Sequence, residues 1–272
     1  MNLIWVLLVL VGLVGSTLGS LMGLGGGIVV VPALLLLGSF SLLEITPQLA
    51  VGISLIVMIV TGLSATLAYI KQKKIDFKSA WLFFCASGPG AIVGAWINKG
   101  FDTESFQLYL GVFIIFISLI LFIRHRLKPR PYRKKRIERT VMNEDGTFHT
   151  YGYNVVPVLI LSFLVGMLSG LFGIGGGSLM VPAMIILFHF PPHRAVATSM
   201  FMILLSAIVG SISHISMGNV NWFYVLALLP GAWIGGILGA EINRRLSSEK
   251  LVFVLRFVLL IIAFRLIYEG LS

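Results

Sequence analysis

Apolar runs of 18 or more residues recur along almost the whole chain, and nothing constrains its fold more. A helix needs about 20 apolar residues to cross the hydrocarbon core of a bilayer, so runs of this length read as spanning helices. Composition agrees: 58% of the 272 residues are hydrophobic and 11% are charged. A soluble domain carries about 25% charged residues, so this chain could not cover a water-facing surface. The expected fold class is an all-α integral membrane protein.

The net charge of +10 does not point to nucleic acid, because it is concentrated. Nine of the 20 basic residues lie between Arg124 and Arg139, in one loop between apolar blocks. Such a cluster marks a loop retained in the cytoplasm, with anionic headgroups as its natural neighbours. Met1 to Val11 is apolar from the start, without the basic leader of a secretory signal, so the N-terminus reads as a span. The single cysteine, Cys85, lies within an apolar run, which leaves no disulfide framework and no thiol metal cluster.

The chain repeats itself. Gly23-Leu-Gly25-Gly26-Gly27 is matched 150 residues later by Gly173-Ile-Gly175-Gly176-Gly177, and Val31-Pro32-Ala33 by Val181-Pro182-Ala183. The offset then becomes 145, pairing Ser54 with Ser199, Gly90 and Gly94 with Gly235 and Gly239, and Asn98 with Asn243. Self-similarity at a fixed offset is the mark of a duplicated structural unit. The expected organisation is membrane repeat one over 1–126, a basic cytoplasmic loop over 127–153 and membrane repeat two over 154–272. Asn143 to Gly146 supplies a turn signal within that loop. Each repeat holds one glycine-broken segment (3–40 and 155–190) and three apolar spans: 47–70, 79–97 and 106–123, then 195–215, 222–242 and 251–268.

Loop charges flip between the copies. Lys71, Lys73, Lys74 and Lys78 follow the first full span of copy one, whereas 216–222 in copy two is uncharged. The next loop reverses the comparison, with Arg244, Arg245 and Lys250 in copy two. The positive-inside rule then places the copies upside down relative to each other. Opposite orientation needs an odd number of crossings per copy, so each broken segment becomes a hairpin whose returning arm is a short or half-length helix. That gives eight to ten spans with both termini outside. A parallel repeat is the competing arrangement.

Three consecutive glycines inside lipid need a reason. Each weakens a helix by about 1 kcal/mol relative to Ala, and freed backbone groups in hydrocarbon cost several more. Such breaks persist where they line a cavity or touch neighbouring protein. A helix starting after the break presents unpaired N–H groups and a positive dipole end, which suit an anion. Close helix packing is the alternative; it suffices for Gly90, Gly94, Gly235 and Gly239. Candidate substrate-binding residues are therefore Gly25, Gly26, Gly27, Gly175, Gly176 and Gly177, with Ser54, Thr198 and Ser199 beside them; Ser178 is a candidate cap. Arg256 and Arg265 read as snorkelling cations, Glu241 and Arg245 as a surface pair at helical spacing, and His214 as an interfacial anchor. Catalytic residues, metal ligands and cofactors are not expected: the five histidines are scattered near span ends or in loops, and no carboxylates cluster within the spans.

The doubled Gly-x-Gly-Gly-Gly followed by Val-Pro resembles the sulfite exporter TauE/SafE family, also called 4-toluene sulfonate uptake permeases or probable membrane transporter proteins. The resemblance covers both copies and leaves out only 124–153. It implies a secondary transporter of the cytoplasmic membrane for a small sulfur-containing anion such as sulfite, thiosulfate, a sulfonate or sulfoacetate. The residues themselves support an anion; inverted duplication favours alternating access by analogy with other folds. The expected partners are that anion, the bilayer and a second copy in a homodimer. The other readings are an anion channel, or a membrane scaffold or enzyme without an identifiable catalytic set.

Overall fold

The computed structural model describes residues 2–40, 42–123, 136–142, 148–245, 260–261 and 263–271. Copy one contributes α1 (Asn2–Met22), α2 (Gly27–Ser39), α3 (Pro47–Lys71), α4 (Phe77–Asn98) and α5 (Thr103–Ile123). A two-stranded hairpin follows, β1 (Ile137–Met142) and β2 (Phe148–Tyr153). Copy two contributes α6 (Val155–Phe172), α7 (Gly177–Ile186), α8 (Pro192–Ser216) and α9 (Trp222–Arg245). Residues 263–271 are helical and correspond to the end of the last expected span. The 251–259 part of that span, Arg256 with it, and the 143–146 turn lie outside the described residues.

Among the described residues, seven helices are long and apolar enough to cross a membrane. The protein is thus a multi-pass helical membrane protein. Polar caps set the boundaries. Thr46 accepts from the Leu49 amide ahead of Pro47, and Asp76 and Asp102 accept from the Ser79 and Ser105 amides at the starts of α4 and α5.

The glycine-broken segments are tight turns between a long helix and a short one. Gly23, Gly25 and Gly26 all have positive φ (73°, 90° and 83°), as do Gly173 and Gly175 (66° and 81°). Only glycine adopts that conformation without strain, and it ends α1 and α6 abruptly. The chain then doubles back: Gly26 packs on Gly19, and Val30 packs on Gly15. α2 has 13 residues and α7 has 10, about 20 Å and 15 Å of helix. Both fall short of the roughly 30 Å hydrocarbon core. The returning arms are short helices.

The copies exchange partners. α1 of copy one lies along α9 of copy two, and α6 of copy two lies along α4 of copy one. Both seams run on glycine. A methyl on Gly94 would overlap the carbonyl oxygen of Met167, and one on Gly90 that of Phe163; across the same seam, Gly166 and Gly170 press on Ser87 and Ala91. On the matching seam, Gly235 and Gly239 press on the carbonyls of Leu13 and Thr17, and Gly12 on that of Leu228. Removing the side chain lets backbones approach until dispersion acts over the whole helix length, the attraction that remains in lipid. The packing role expected of Gly90, Gly94, Gly235 and Gly239 is what the structure displays.

The segment between the copies departs from the loop expected of it. Ile137–Met142 pairs antiparallel with Phe148–Tyr153 in the register Ile137↔Tyr153 to Met142↔Phe148. Alternation explains it: Tyr151 and Tyr153 face inward and are 1% exposed, while Glu138 and Thr140 face water.

Replacing Gly94 or Gly239 by Leu should each lower the unfolding midpoint of the detergent-solubilised protein. Overpacking of this kind costs about 1–3 kcal/mol. Gly100→Ala, in the exposed turn after α4 where a methyl would meet only Ile97 O at an ordinary 3.6 Å, should leave the midpoint unchanged. Equal midpoints for all three would refute the seam account.

Candidate functional site

The two glycine breaks meet inside the protein. A side chain on Gly27 would overlap the carbonyl oxygen of Gly173, and one on Gly177 that of Gly23, while Gly175 packs directly on Leu24 and Gly25. Residues 23–28 and 173–178 are all buried.

Breaking a helix in such a place strands the carbonyls of its last turn. Here side chains in matched pairs take them up. Ser54 Oγ donates to Gly173 O at 2.8 Å, and Ser199 Oγ to Gly23 O at 2.9 Å. Asn98 Nδ2 donates to Leu171 O at 2.8 Å, and Asn243 Nδ2 to Leu21 O at 2.7 Å. These four bonds all run from one copy to the other. A third pair stays within each copy: Tyr69 Oη reaches Ser20 O at 2.9 Å, and His214 Nε2 meets Gly170 O at 3.1 Å. His214 is fully buried, so the expected interfacial anchor is corrected to a carbonyl partner standing where copy one uses a tyrosine.

The other side of each break is different. The amides of Gly27 and Ile28 at the start of α2, and of Gly177 and Ser178 at the start of α7, donate to no backbone carbonyl among the described residues. These amides lie at the positive ends of two short helices, next to the capped carbonyls of Gly23 and Gly173. A cleft of about 160 Å³, too narrow for a water molecule, borders the second break between Phe113, Val165, Leu168, Ser169, Ser178 and Leu179. The breaks are therefore closed around the centre in this conformation.

Gly25, Gly27, Gly175 and Gly177 come together at this point, with Ser54 and Ser199 bonded across it, whereas Gly26 faces Gly15 and Ser16 on α1 and Gly176 faces Val165 on α6. Thr198 stands apart: its hydroxyl accepts from the Asp76 amide at 3.0 Å. Ser178 Oγ donates back to Gly175 O at 3.3 Å, and Gly176 occupies the cap position instead. The Glu241–Arg245 pair forms as expected, at 2.7 Å, and Arg244 joins it. Arg265 pairs with Glu269 at 2.9 Å and lies over the Phe40 ring at 4.6 Å.

A polar cluster at one end of the bundle went unread in the sequence. Asp76, 6% exposed, accepts from Arg139 Nη1 at 2.6 Å, Ser79 Oγ at 2.6 Å and Tyr151 Oη at 3.1 Å. Ser79 Oγ also shares a 2.7 Å bond with Tyr153 Oη. Burial and the Asp76 charge push the Tyr151 hydroxyl well above its ordinary pKa, and burial raises Tyr153, so both remain protonated at neutral pH. Gly152 N donates to Phe188 O at 3.0 Å. The hairpin is thus fastened both to α4 of copy one and to the α7–α8 turn of copy two. The one available signal was Asp76 three residues before Ser79, a capping pattern.

A multi-pass helical bundle with two glycine-broken hairpins closed on each other has the build of a membrane transporter. The model of the family described as sulfite exporter TauE/SafE matches residues 8–266. The chain is 52% identical over 268 residues, 98% of each chain, to the "Probable membrane transporter protein YunE" of Bacillus subtilis (strain 168). It is 27% identical over 263 residues, 93% of this chain and 91% of the other, to the "Probable membrane transporter protein MJ0441" of Methanocaldococcus jannaschii. Over 166 residues it is 31% identical to "Sulfite exporter TauE/SafE family protein 6" of Arabidopsis thaliana, covering 59% of this chain and 35% of that one. No solved structure matches the chain. The chain belongs to the sulfite exporter TauE/SafE family of membrane transporters.

Ser54→Ala and Ser199→Ala should each destabilise the protein by about 1–3 kcal/mol, because each leaves a buried carbonyl unpaired. The two losses should be similar in size, as measured by unfolding in detergent. A loss at one position only would mean that the matched bonds do not carry matched loads.

Proposed function

We propose that the chain moves a small anion, of the sulfur-containing class that the family name points to, across the cytoplasmic membrane by alternating access. The glycine breaks are its binding element. One observation carries the reading: at the meeting of the breaks the carbonyls of Gly23 and Gly173 have side-chain donors, whereas the amides opening α2 and α7 donate to no carbonyl among the described residues. An oxyanion complements such a centre, and a cation does not. Ser54, Ser199, Gly25, Gly27, Gly175 and Gly177 would surround it, with Gly26 and Gly176 in the same turns and Thr198 supporting from the next position on α8. Asp76, whose amide bonds Thr198 beside Ser199, has its carboxylate taken by Arg139, Ser79 and Tyr151, so facilitated diffusion, or a proton carried by the anion itself, suits the site better than a carboxylate relay.

Inverted copies are part of this proposal, and three contacts support them. Gln48, at the start of α3, donates to Asn98 O at the end of α4 (3.3 Å), whereas His193, at the start of α8, meets Asn243 at the end of α9 (3.0 Å). Gln72, just past the end of α3, reaches Ala240 O near the end of α9 (3.3 Å). In this reading the end of α3, the end of α9 and the start of α8 share one face, so α3 and α8 cross in opposite senses. That face carries Lys71, Lys73, Lys74, Arg244 and Arg245 and holds the hairpin through Asp76, which fits a cytoplasmic loop 124–153. The division into repeats over 1–126 and 154–272, and a homodimer, belong to the same proposal.

Proteoliposomes tested with labelled sulfite, thiosulfate, sulfonates, sulfoacetate and chloride should show flux of at least one sulfur oxyanion. Absence of flux for every anion would overturn the proposal. Gly26→Leu and Gly176→Leu should abolish that flux in protein that still extracts as a folded species; unchanged flux in both would return these glycines to packing alone. Single cysteines placed in a Cys85→Ser background should react from opposite sides of the membrane at 71–78 and 216–222. Labelling from the same side would favour parallel copies.

A further inference from the structure

The outer face of the bundle has a groove between α3 and α9 of about 610 Å³. Its walls are Leu67, Ala68, Trp233 and Ile237, and its end holds Lys71, Gln72, Glu241 and Arg244. Leu67, Trp233 and Ile237 are 46%, 41% and 43% exposed, so they face whatever fills the groove. Trp233 to Arg244 spans twelve residues of α9, about 16 Å of helix. Half the hydrocarbon core is about 15 Å. The groove therefore has the length of one leaflet, apolar at mid-membrane and charged at the surface.

The charged end is unbalanced. Glu241 alone answers both Arg244 and Arg245, and Lys71 has no acidic partner among the described residues. Three cations stand against one carboxylate. Gln72 Nε2 bonds Ala240 O at 3.3 Å, while its Oε1 is buried without a partner. The end thus offers two cationic side chains, Lys71 and Arg244, into the groove.

We propose that this groove is a seat for one anionic glycerophospholipid. Its phosphate lies between Lys71 and Arg244, and one acyl chain lies along Leu67, Ala68, Trp233 and Ile237. The apolar length selects a lipid over a soluble anion, and the surplus of two positive charges selects an anionic lipid over a zwitterionic one.

The test is binding, independent of transport. Purified full-length protein in detergent is given phosphatidylglycerol or phosphatidylcholine of identical chains, or sodium phosphate as a soluble anion. Bound lipid is counted by native mass spectrometry and the unfolding midpoint is followed. Phosphatidylglycerol should be retained as one molecule and raise the midpoint more than phosphatidylcholine, with phosphate having no effect. Lys71→Gln and Arg244→Gln should each weaken phosphatidylglycerol retention about fivefold, whereas Lys71→Arg should preserve it. Ala68→Trp, which fills the apolar part, should remove retention of both lipids. Equal retention of the two lipids, or undiminished phosphatidylglycerol retention in the Lys71→Gln/Arg244→Gln protein, would overturn the proposal. So would protection by phosphate without lipid retention, which would make the end of the groove a site for free anions.

Discussion

A helix that stops inside a protein leaves its last carbonyls without partners, and in a low-dielectric interior each one left unpaired costs about 1–3 kcal/mol. This protein stops two helices there, α1 and α6, and nearly everything around them answers that constraint. Leu21, Gly23, Leu171 and Gly173 are each taken by an Asn or Ser side chain from the other copy. Ser20 and Gly170 are taken by Tyr69 and His214 of their own. The donors sit on α3, α4, α8 and α9, so those helices must hold fixed positions relative to the breaks. The glycine seams that dock α1 on α9 and α6 on α4 supply those positions.

The same bonds explain why the copies cannot be understood one at a time. Each break is capped mainly by the opposite copy, and each first helix packs on the opposite copy's fourth. A substitution at Ser54 acts at Gly173, 119 residues away in the chain. Coupling between the two breaks is therefore direct, through single hydrogen bonds rather than through a long chain of contacts.

Much of this was legible in the residues. The offsets of 150 and 145 paired Ser54 with Ser199 and Asn98 with Asn243, and apolar length gave the approximate extents of the spans. What escaped did so for physical reasons. Tyr69 and His214 are chemically unlike, yet a phenol and an imidazole can serve equivalent carbonyls, which identity at matched positions does not show. Thr198 and Ser199 are neighbours about 100° apart on a helix, and only their surroundings show that one turns to Asp76 and the other to Gly23. The role of Asp76 is not legible locally because its partners, Arg139 and Tyr151, arrive from a strand pair 60 to 75 residues on. That strand pair is short and mostly polar, with a charge-rich approach that masks its alternation.

The exchange of first helices between copies has a consequence for how the protein is made. Ser20 on α1 bonds the carbonyl of Gly236 on α9, 216 residues later. At about 5–20 residues per second, the first helix waits roughly 10–40 s for its permanent neighbour to be synthesised. Through that interval its glycine face has only lipid, or the insertion machinery, to lie against. Copy one is thus held as an unfinished half: the α4–α6 seam can close once α6 enters the membrane, but the α1–α9 seam closes only when α9 follows.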